Sequence, residues 1–238
     1  MQQKTYSLHH ARPQAERVEE LIIALRRRYH GDPAAIRVVR APLRISPLGA
    51  HIDHQLGRVT GMAVDRSILF AFVPTTDGSL HVESRDFATT TDFTLTSIPP
   101  YTKGDWGNYL RGAVVALQKD RPLQRGLMGV LGGDMPIGGL SSSAAVTIAY
   151  LLALETVNDL ALTPAENIRM VTRTEHEYIG LNNGILDQTS ILFSQRNHLT
   201  IIDCQSVQIE RAPAQIDPDR YAIMAVYSGV AQGLVGTG

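Results

Sequence analysis

The stretch from Gly126 to Leu154 constrains the fold most. Gly126 to Gly132 reads as a short apolar strand. It runs into Gly132-Gly-Asp-Met-Pro-Ile-Gly-Gly-Leu-Ser-Ser-Ser-Ala-Ala145, and apolar residues continue through Ala149, Leu151, Leu152 and Leu154, so a helix begins near the serines. Strand, glycine loop and helix form an arrangement suited to phosphate. Glycines let the backbone come close and take positive φ. The N–H groups of a helix N-terminus point at an anion, and the helix dipole favours negative charge. Ser141, Ser142 and Ser143 add hydroxyl donors, one of which could reach a magnesium ion. The loop has no Walker A lysine and does not fit a dinucleotide fingerprint. A plain strand-to-helix turn capped by serine is the other reading of the same residues.

The elements around this stretch alternate in type. Gln14 to Tyr29 has helical spacing, with Val18, Leu21, Ile22 and Leu25 on one face. Strands are predicted at Ile36 to Ser46, Val64 to Val73, Leu80 to Ser84 and Thr91 to Leu95, with a turn at Pro74 to Gly78. Asp105 is placed to cap a helix reaching about Lys119. Thr163-Pro-Ala-Glu166 combines a capping box with Pro at the first helical position, and that helix should reach Tyr178 and stop at Gly180. A helix from about Asp187 to Ser194 and a strand from Leu199 to Cys204 follow. Tyr221 to Val226 reads as a buried strand. The glycine-rich end leads to no further element, so the chain reads as a fragment.

Bulk properties remove several classes. At 238 residues, 44% hydrophobic and 19% charged, the chain has material for a sizeable core. A net charge of −1 gives no electrostatic footprint for nucleic acid. The single cysteine, Cys204, permits no intrachain disulfide and suits a reducing compartment. No run approaches the roughly 18–20 apolar residues of a membrane helix. Met1 to Pro13 has no apolar core and is not a signal peptide. A soluble cytoplasmic protein is expected, with no nucleic-acid or membrane partner; the oligomeric state stays open.

Two further stretches carry charge in suggestive settings. Ala41-Pro-Leu-Arg-Ile-Ser-Pro-Leu-Gly-Ala-His-Ile-Asp-His54 places Arg44, His51, Asp53 and His54 among turn residues at a strand end. Asp187 stands among Ile185, Leu186, Ile191 and Leu192, where a charge is costly unless it is paired or functional. It could be the N-cap of its helix. It could also pair with Arg44, stay ionised, and act as base toward a hydroxyl nucleophile beside a bound nucleotide. Glu175, beside His176, reads on its own as part of a solvated helix face.

Together these residues resemble the GHMP kinases (galacto-, homoserine, mevalonate and phosphomevalonate kinases), and within them the galactokinase branch. The family's Ala-Pro-Gly-Arg-x-x-x-x-Gly-Glu-His-x-Asp appears as Ala41 to Asp53. Its Pro-x-x-x-Gly-Leu-Ser-Ser-Ser-Ala appears as Pro136 to Ala144, and Gly184-Ile-Leu-Asp-Gln188 matches the segment carrying the catalytic base. The resemblance implies an α+β fold, a mixed sheet with helices packed on it. It implies that residues 1–238 are the N-terminal kinase domain, with a C-terminal domain lying beyond Gly238. It implies ATP and Mg2+ as cofactors. Asp187 would take the proton of a sugar's anomeric hydroxyl, and Arg44 would hold Asp187 ionised. Gly138, Gly139, Leu140, Ser141, Ser142, Ser143 and Ala144 would cradle the nucleotide phosphates, with Trp106 near the adenine. Ser143 and Glu175 would bind the metal. His51, Asp53 and Gly184 would line the sugar pocket.

Three departures stand out. Leu43 replaces the family's glycine before the arginine. The spacing from Pro136 to Leu140 is one residue short. Ala50 stands where galactokinases carry a Glu that accepts a hydrogen bond from the sugar's 6-hydroxyl. Were C6 a carboxylate, that Glu would repel it by roughly 4 kcal/mol at about 4 Å and an effective dielectric near 20. Ala removes the repulsion, and Pro-Leu-Gly-Ala-His-Ile-Asp-His resembles galacturonokinases, which carry this replacement. The expected function is phosphorylation of D-galacturonate at C1. An ordinary galactokinase or another sugar-1-kinase is the enzyme alternative, and a non-catalytic sugar- and ATP-binding regulator is the other.

Overall fold

Strand β2 (Arg58–Thr75) is the spine of the protein. The computed structural model describes residues 12–135, 140–214, 217, 220–221 and 223–226. Along β2, Leu69, Ala71 and Val73 alternate with Ile68, Phe70 and Phe72, and all six are buried. Successive strand residues face opposite sides. The continuous apolar run therefore has a direct cause: β2 is covered on both faces. Leu69, Ala71 and Val73 pack on helix α1 (Gln14–Arg26) through Leu21, Ala24 and Leu25. Ile68, Phe70 and Phe72 join the main core with helices α2 (Asn108–Gln118), α3 (Ser142–Val157) and α4 (Pro164–Arg173).

Seven strands are seen among the described residues. β3 (Ser79–Ser84), β4 (Thr89–Thr94) and β5 (Gly126–Gly132) lie to one side of β2, with β6 (His198–Asp203) and β7 (Gln208–Pro213) to the other, in the order β4-β3-β5-β2-β6-β7. β1 (Arg37–Ile45) pairs antiparallel with β2. β3 runs parallel to β5 while the other pairs are antiparallel. The expected α+β class with a mixed sheet is what the chain adopts.

α3 is apolar on nearly every side, as suits a helix enclosed by the sheet and its neighbours. Tyr150 is fully buried in it, edge-on to Phe70 at 5.3 Å. Helix α5 (Leu186–Phe193) sits against the first part of β2. The contact is close because Gly61 has no side chain: a Cβ there would lie 1.8 Å from Ser190 Oγ.

The element boundaries differ from expectation in a few places. α1 ends at Arg26, three residues before Tyr29. Asp105 does not cap α2, whose N-cap is Gly107; its carboxylate accepts from Gly107 N at 2.8 Å and from Arg111. The turn Asp105 makes is thus one step upstream of the helix. β2 starts six residues before Val64, because Thr60 exchanges hydrogen bonds with Leu48 and residues 58–61 pair with β6. β7 was not foreseen: Gln208 to Pro213 is mostly polar, and pairing with β6 makes it a strand. Tyr221 to Val226 is not a buried strand. Tyr221, Ile223, Met224 and Val226 are 57–74% exposed, and no described strand lies alongside to take their backbone hydrogen bonds. Thr163 and Glu166 form the expected capping box of α4, which continues as a π-turn, Thr174–Ile179, and stops at Gly180 in the left-handed region.

Candidate functional site

β1 carries Arg44 toward the N-terminus of α5, 143 residues away in sequence. Arg44 Nε and Nη2 lie 2.7 and 2.6 Å from Asp187 Oδ1. The other carboxylate oxygen, Oδ2, accepts from the Ser141 hydroxyl. Asp187 is not the N-cap of α5, a position held by Ile185. It lies in the first turn, where the helix dipole also favours an anion. The Arg44 backbone N–H donates to Leu140 O at 3.3 Å, which joins β1 to the end of the glycine–serine loop. The bulge Leu43 occupies in β1 gives the departure from the family's glycine a plain outcome: the ladder with β2 shifts register between Pro42 and Arg44, and Leu43 itself is buried in the main core.

Ser141 takes a left-handed backbone, φ 59, and its side chain makes no cap on α3. Its hydroxyl is spent on Asp187. Ser142 and Ser143 open α3 and are half-buried; Ala144 is buried in the core, so only its backbone can meet a ligand. Gly138 and Gly139 lie outside the described residues.

Glu175 is 1% exposed, so the solvated helix face expected of it is overturned: it follows the buried Ile168 and Val171 at i+7 and i+4, on the face of α4 that packs into the core. Burial, then the charge of Asp187, push its carboxyl up to about 8, against a hydrogen bond from Asn183; Asp53 adds a smaller push. Glu175, Asp187 and Asp53 thus form one acidic neighbourhood in which Arg44 holds Asp187. Tyr109 on α2 has a hydrogen bond with Ser143, and its phenol is pushed up by burial and by the charge of Glu175. Among the described residues no group of three His, Cys, Asp or Glu could hold an ion alone. Mg2+ commonly takes one or two carboxylates and completes its shell with phosphate oxygens and water. A buried carboxylate with no cation of its own suits that partial site.

The Ala41–His54 segment forms the opposite wall. Asp53 Oδ2 accepts from Leu186 N at 3.3 Å, beside Asp187. Gly184 is needed there: a Cβ would fall 2.4 Å from Asp53 Oδ2 and 2.6 Å from its backbone carbonyl carbon. We expect Gly184→Ala to displace Asp53 and weaken sugar affinity about tenfold or more, with the fold intact. Calorimetric titration would check this; unchanged affinity would show that Asp53 is not a sugar contact. Ala50 and His51 stand exposed on the same segment. Trp106 stacks on Phe87 at 6.1 Å with rings 4° from parallel, and its indole N–H donates to Thr89.

Sequence reading missed Tyr109 as a site residue, as well as Asn183 and Phe87. Asn183 supports Glu175, and its carbonyl meets the His176 ring at 2.8 Å. Nothing in Asn182-Asn-Gly184 as a sequence indicates a buried acid as partner.

Comparison with known proteins shows what the chain is similar to. A family model described as the GHMP kinases N terminal domain matches residues 108–195, and one described as the galactokinase galactose-binding signature matches residues 24–74. The chain is 41% identical to a galacturonokinase of Arabidopsis thaliana over 85% of this chain and 52% of that protein. It is 34% identical to a galactokinase of Chloroflexus aggregans over 91% and 55% of the two. The structure of Lactococcus lactis galactokinase in complex with galactose matches with a TM-score of 0.77 at 25% identity, covering 85% of this chain and 52% of that one. A mevalonate kinase shares the fold at a TM-score of 0.63 and 20% identity, over 75% and 57%. The chain spans about half the length of the curated relatives it matches.

Proposed function

We propose, for a chain that carries the N-terminal domain of the GHMP kinases, the phosphorylation of D-galacturonate on its anomeric hydroxyl by ATP. The observation that carries this reading is Asp187, gripped by Arg44 on one oxygen and Ser141 on the other, at the meeting of the serine helix and the Asp53 wall.

Asp187 accepts the hydroxyl proton as the sugar oxygen attacks the γ-phosphorus. The bond from that phosphorus to the bridging oxygen breaks, ADP leaves, and Asp187 passes its proton to solvent. Arg44 keeps Asp187 ionised before the step and faces the transferring group with positive charge. Asp53 orients the sugar, and the N-terminus of α3 receives phosphate. Glu175 and Ser143 would hold Mg2+, which when bound offsets the charge on the phosphate oxygens. The stacked Trp106 and Phe87 offer an aromatic surface for the adenine. The remainder of the nucleotide and sugar sites belongs, on this reading, to a C-terminal domain such as the relatives' greater length allows.

The uronic acid is preferred over galactose because of Ala50. Its small, exposed side chain leaves room at the rim where a Glu would repel a C6 carboxylate. The higher identity to a galacturonokinase supports the same substrate. The galactose-binding signature at residues 24–74 favours galactose as the second reading.

Turnover with galacturonate, galactose and glucuronate, in a form extended to the relatives' length, tests both. Preference for galactose sinks the Ala50 argument, and sugar binding without turnover favours a regulator. Ala50→Glu should weaken galacturonate use by a factor on the order of 10²–10³, the equivalent of roughly 4 kcal/mol of repulsion, with the melting temperature unchanged. Equal kinetics would show that Ala50 does not face C6.

A further inference from the structure

The corner where β5 leaves the sheet is gripped by side chains remote from it in sequence. Arg17 lies on the inner side of α1 and is 7% exposed. Its Nη1 donates to Asp134 Oδ2 at 2.9 Å and to Ser67 Oγ at 3.3 Å, and its Nη2 donates to the Ser67 carbonyl at 2.9 Å. Asp134 Oδ1 accepts from Ser67 N at 3.0 Å. One residue earlier, Gly133 N donates to Asp86 Oδ2 at 2.9 Å. α1, β2 and the turn after β3 therefore converge on Gly133 and Asp134.

A buried ion pair is a poor source of net stability, because desolvation offsets much of its attraction. What a guanidinium fork does supply is fixed geometry. Asp134 stands two residues before Pro136, where the glycine–serine loop begins in the sequence. The far end of that loop is tied to β1 through Leu140 O and Arg44 N. Backbone groups that receive a phosphate must be aimed to within fractions of an ångström.

We propose that Arg17 is a positioning residue for the nucleotide: through Asp134 it sets how the chain leaves β5 and enters the phosphate-binding loop. This rests on the kinase reading above. It assigns to α1 a part in nucleotide binding, and Arg17 itself touches no substrate.

The test is titration of the form extended to the relatives' length with MgATP and, separately, with galacturonate. Arg17→Met should raise the nucleotide Kd about tenfold and leave the sugar Kd within about twofold. Arg17→Lys, which restores the charge without the fork, should fall between. Asp86→Ala, which removes the acceptor of the Gly133 N–H at the same corner, should raise the nucleotide Kd about threefold. A folded Arg17→Met with wild-type nucleotide affinity overturns the proposal. So does parallel weakening of nucleotide and sugar, the mark of a merely structural role. If Arg17→Met does not fold, Arg17→Lys decides, and an unchanged nucleotide Kd overturns the proposal. Absence of nucleotide binding in the unmutated extended form defeats the kinase reading itself, and this proposal with it, before any variant is compared.

Discussion

Asp187→Asn is expected to lower the rate of phosphoryl transfer by about 10²–10⁴-fold, the range typical of a lost general base. The amide keeps the shape of the carboxylate and one oxygen to accept from Arg44 or Ser141. It cannot accept the proton of the sugar hydroxyl. The loss corresponds to about 3–5 kcal/mol of barrier. Sugar affinity should change little, since Asp53 and Gly184 are untouched. The substitution also leaves Arg44 without its counter-charge. Arg44 is only 15% exposed, so the melting temperature should fall by a few degrees. Single-turnover kinetics in the extended form check the rate, and binding measured on the same sample separates chemistry from affinity. A variant within about threefold of the unmutated rate would remove Asp187 from the role of base.

The second large effect is a pH dependence of stability that belongs to Glu175. In the metal-free chain its carboxyl is raised from 4.5 to about 8, first by burial and then by Asp187. The folded state therefore holds a proton that the unfolded chain releases above pH 4.5. This contribution to stability is complete below about pH 4.5 and is lost progressively as the pH rises toward 8. Its ceiling is about 5 kcal/mol, from 1.36 kcal/mol for each unit. Glu175→Gln should lack this part of the decline over the same window. Denaturation midpoints at pH 5 and pH 8 compare the two chains, and the difference isolates Glu175 from the histidines. Binding of MgATP should expel the proton, so its affinity should rise with pH across this range. Parallel pH profiles for the two chains would show that Glu175 is not a buried acid.

Some of this was legible from local rules. The capping box at Thr163 and Glu166 and the stop at Gly180 needed only neighbouring residues, so their positions came out as expected. The apolar run of β2 announced a strand. Asp187 was suspect because a lone charge among Ile185, Leu186, Ile191 and Leu192 demands a partner. The expected Arg44 is the partner observed. Other features had no local cause. β7 is a strand because β6 lies beside it, and its own sequence is polar. Tyr221 to Val226 looked like a strand by composition alone, yet a strand is defined by its neighbour. Glu175 sat beside His176 on what read as a wet face. It is in helical register with the buried Ile168 and Val171, but only the packing of α4 shows that the enclosed face continues as far as an acid.

The sequence by itself determined the chemical vocabulary: a glycine–serine loop before an apolar helix, an Arg and an Asp in unusual settings, and an Ala in place of an acid. Those follow from side-chain chemistry and short-range periodicity, which act over a few residues. Only the tertiary structure decided who meets whom. It turned the Ser141 hydroxyl onto Asp187, buried Glu175 near that charge, joined Tyr109 to Ser143, and brought Arg17 to Asp134 across 117 residues. The physical reason is that desolvation and hydrogen-bond geometry are properties of a three-dimensional neighbourhood, and that neighbourhood exists only once the sheet and helices have packed.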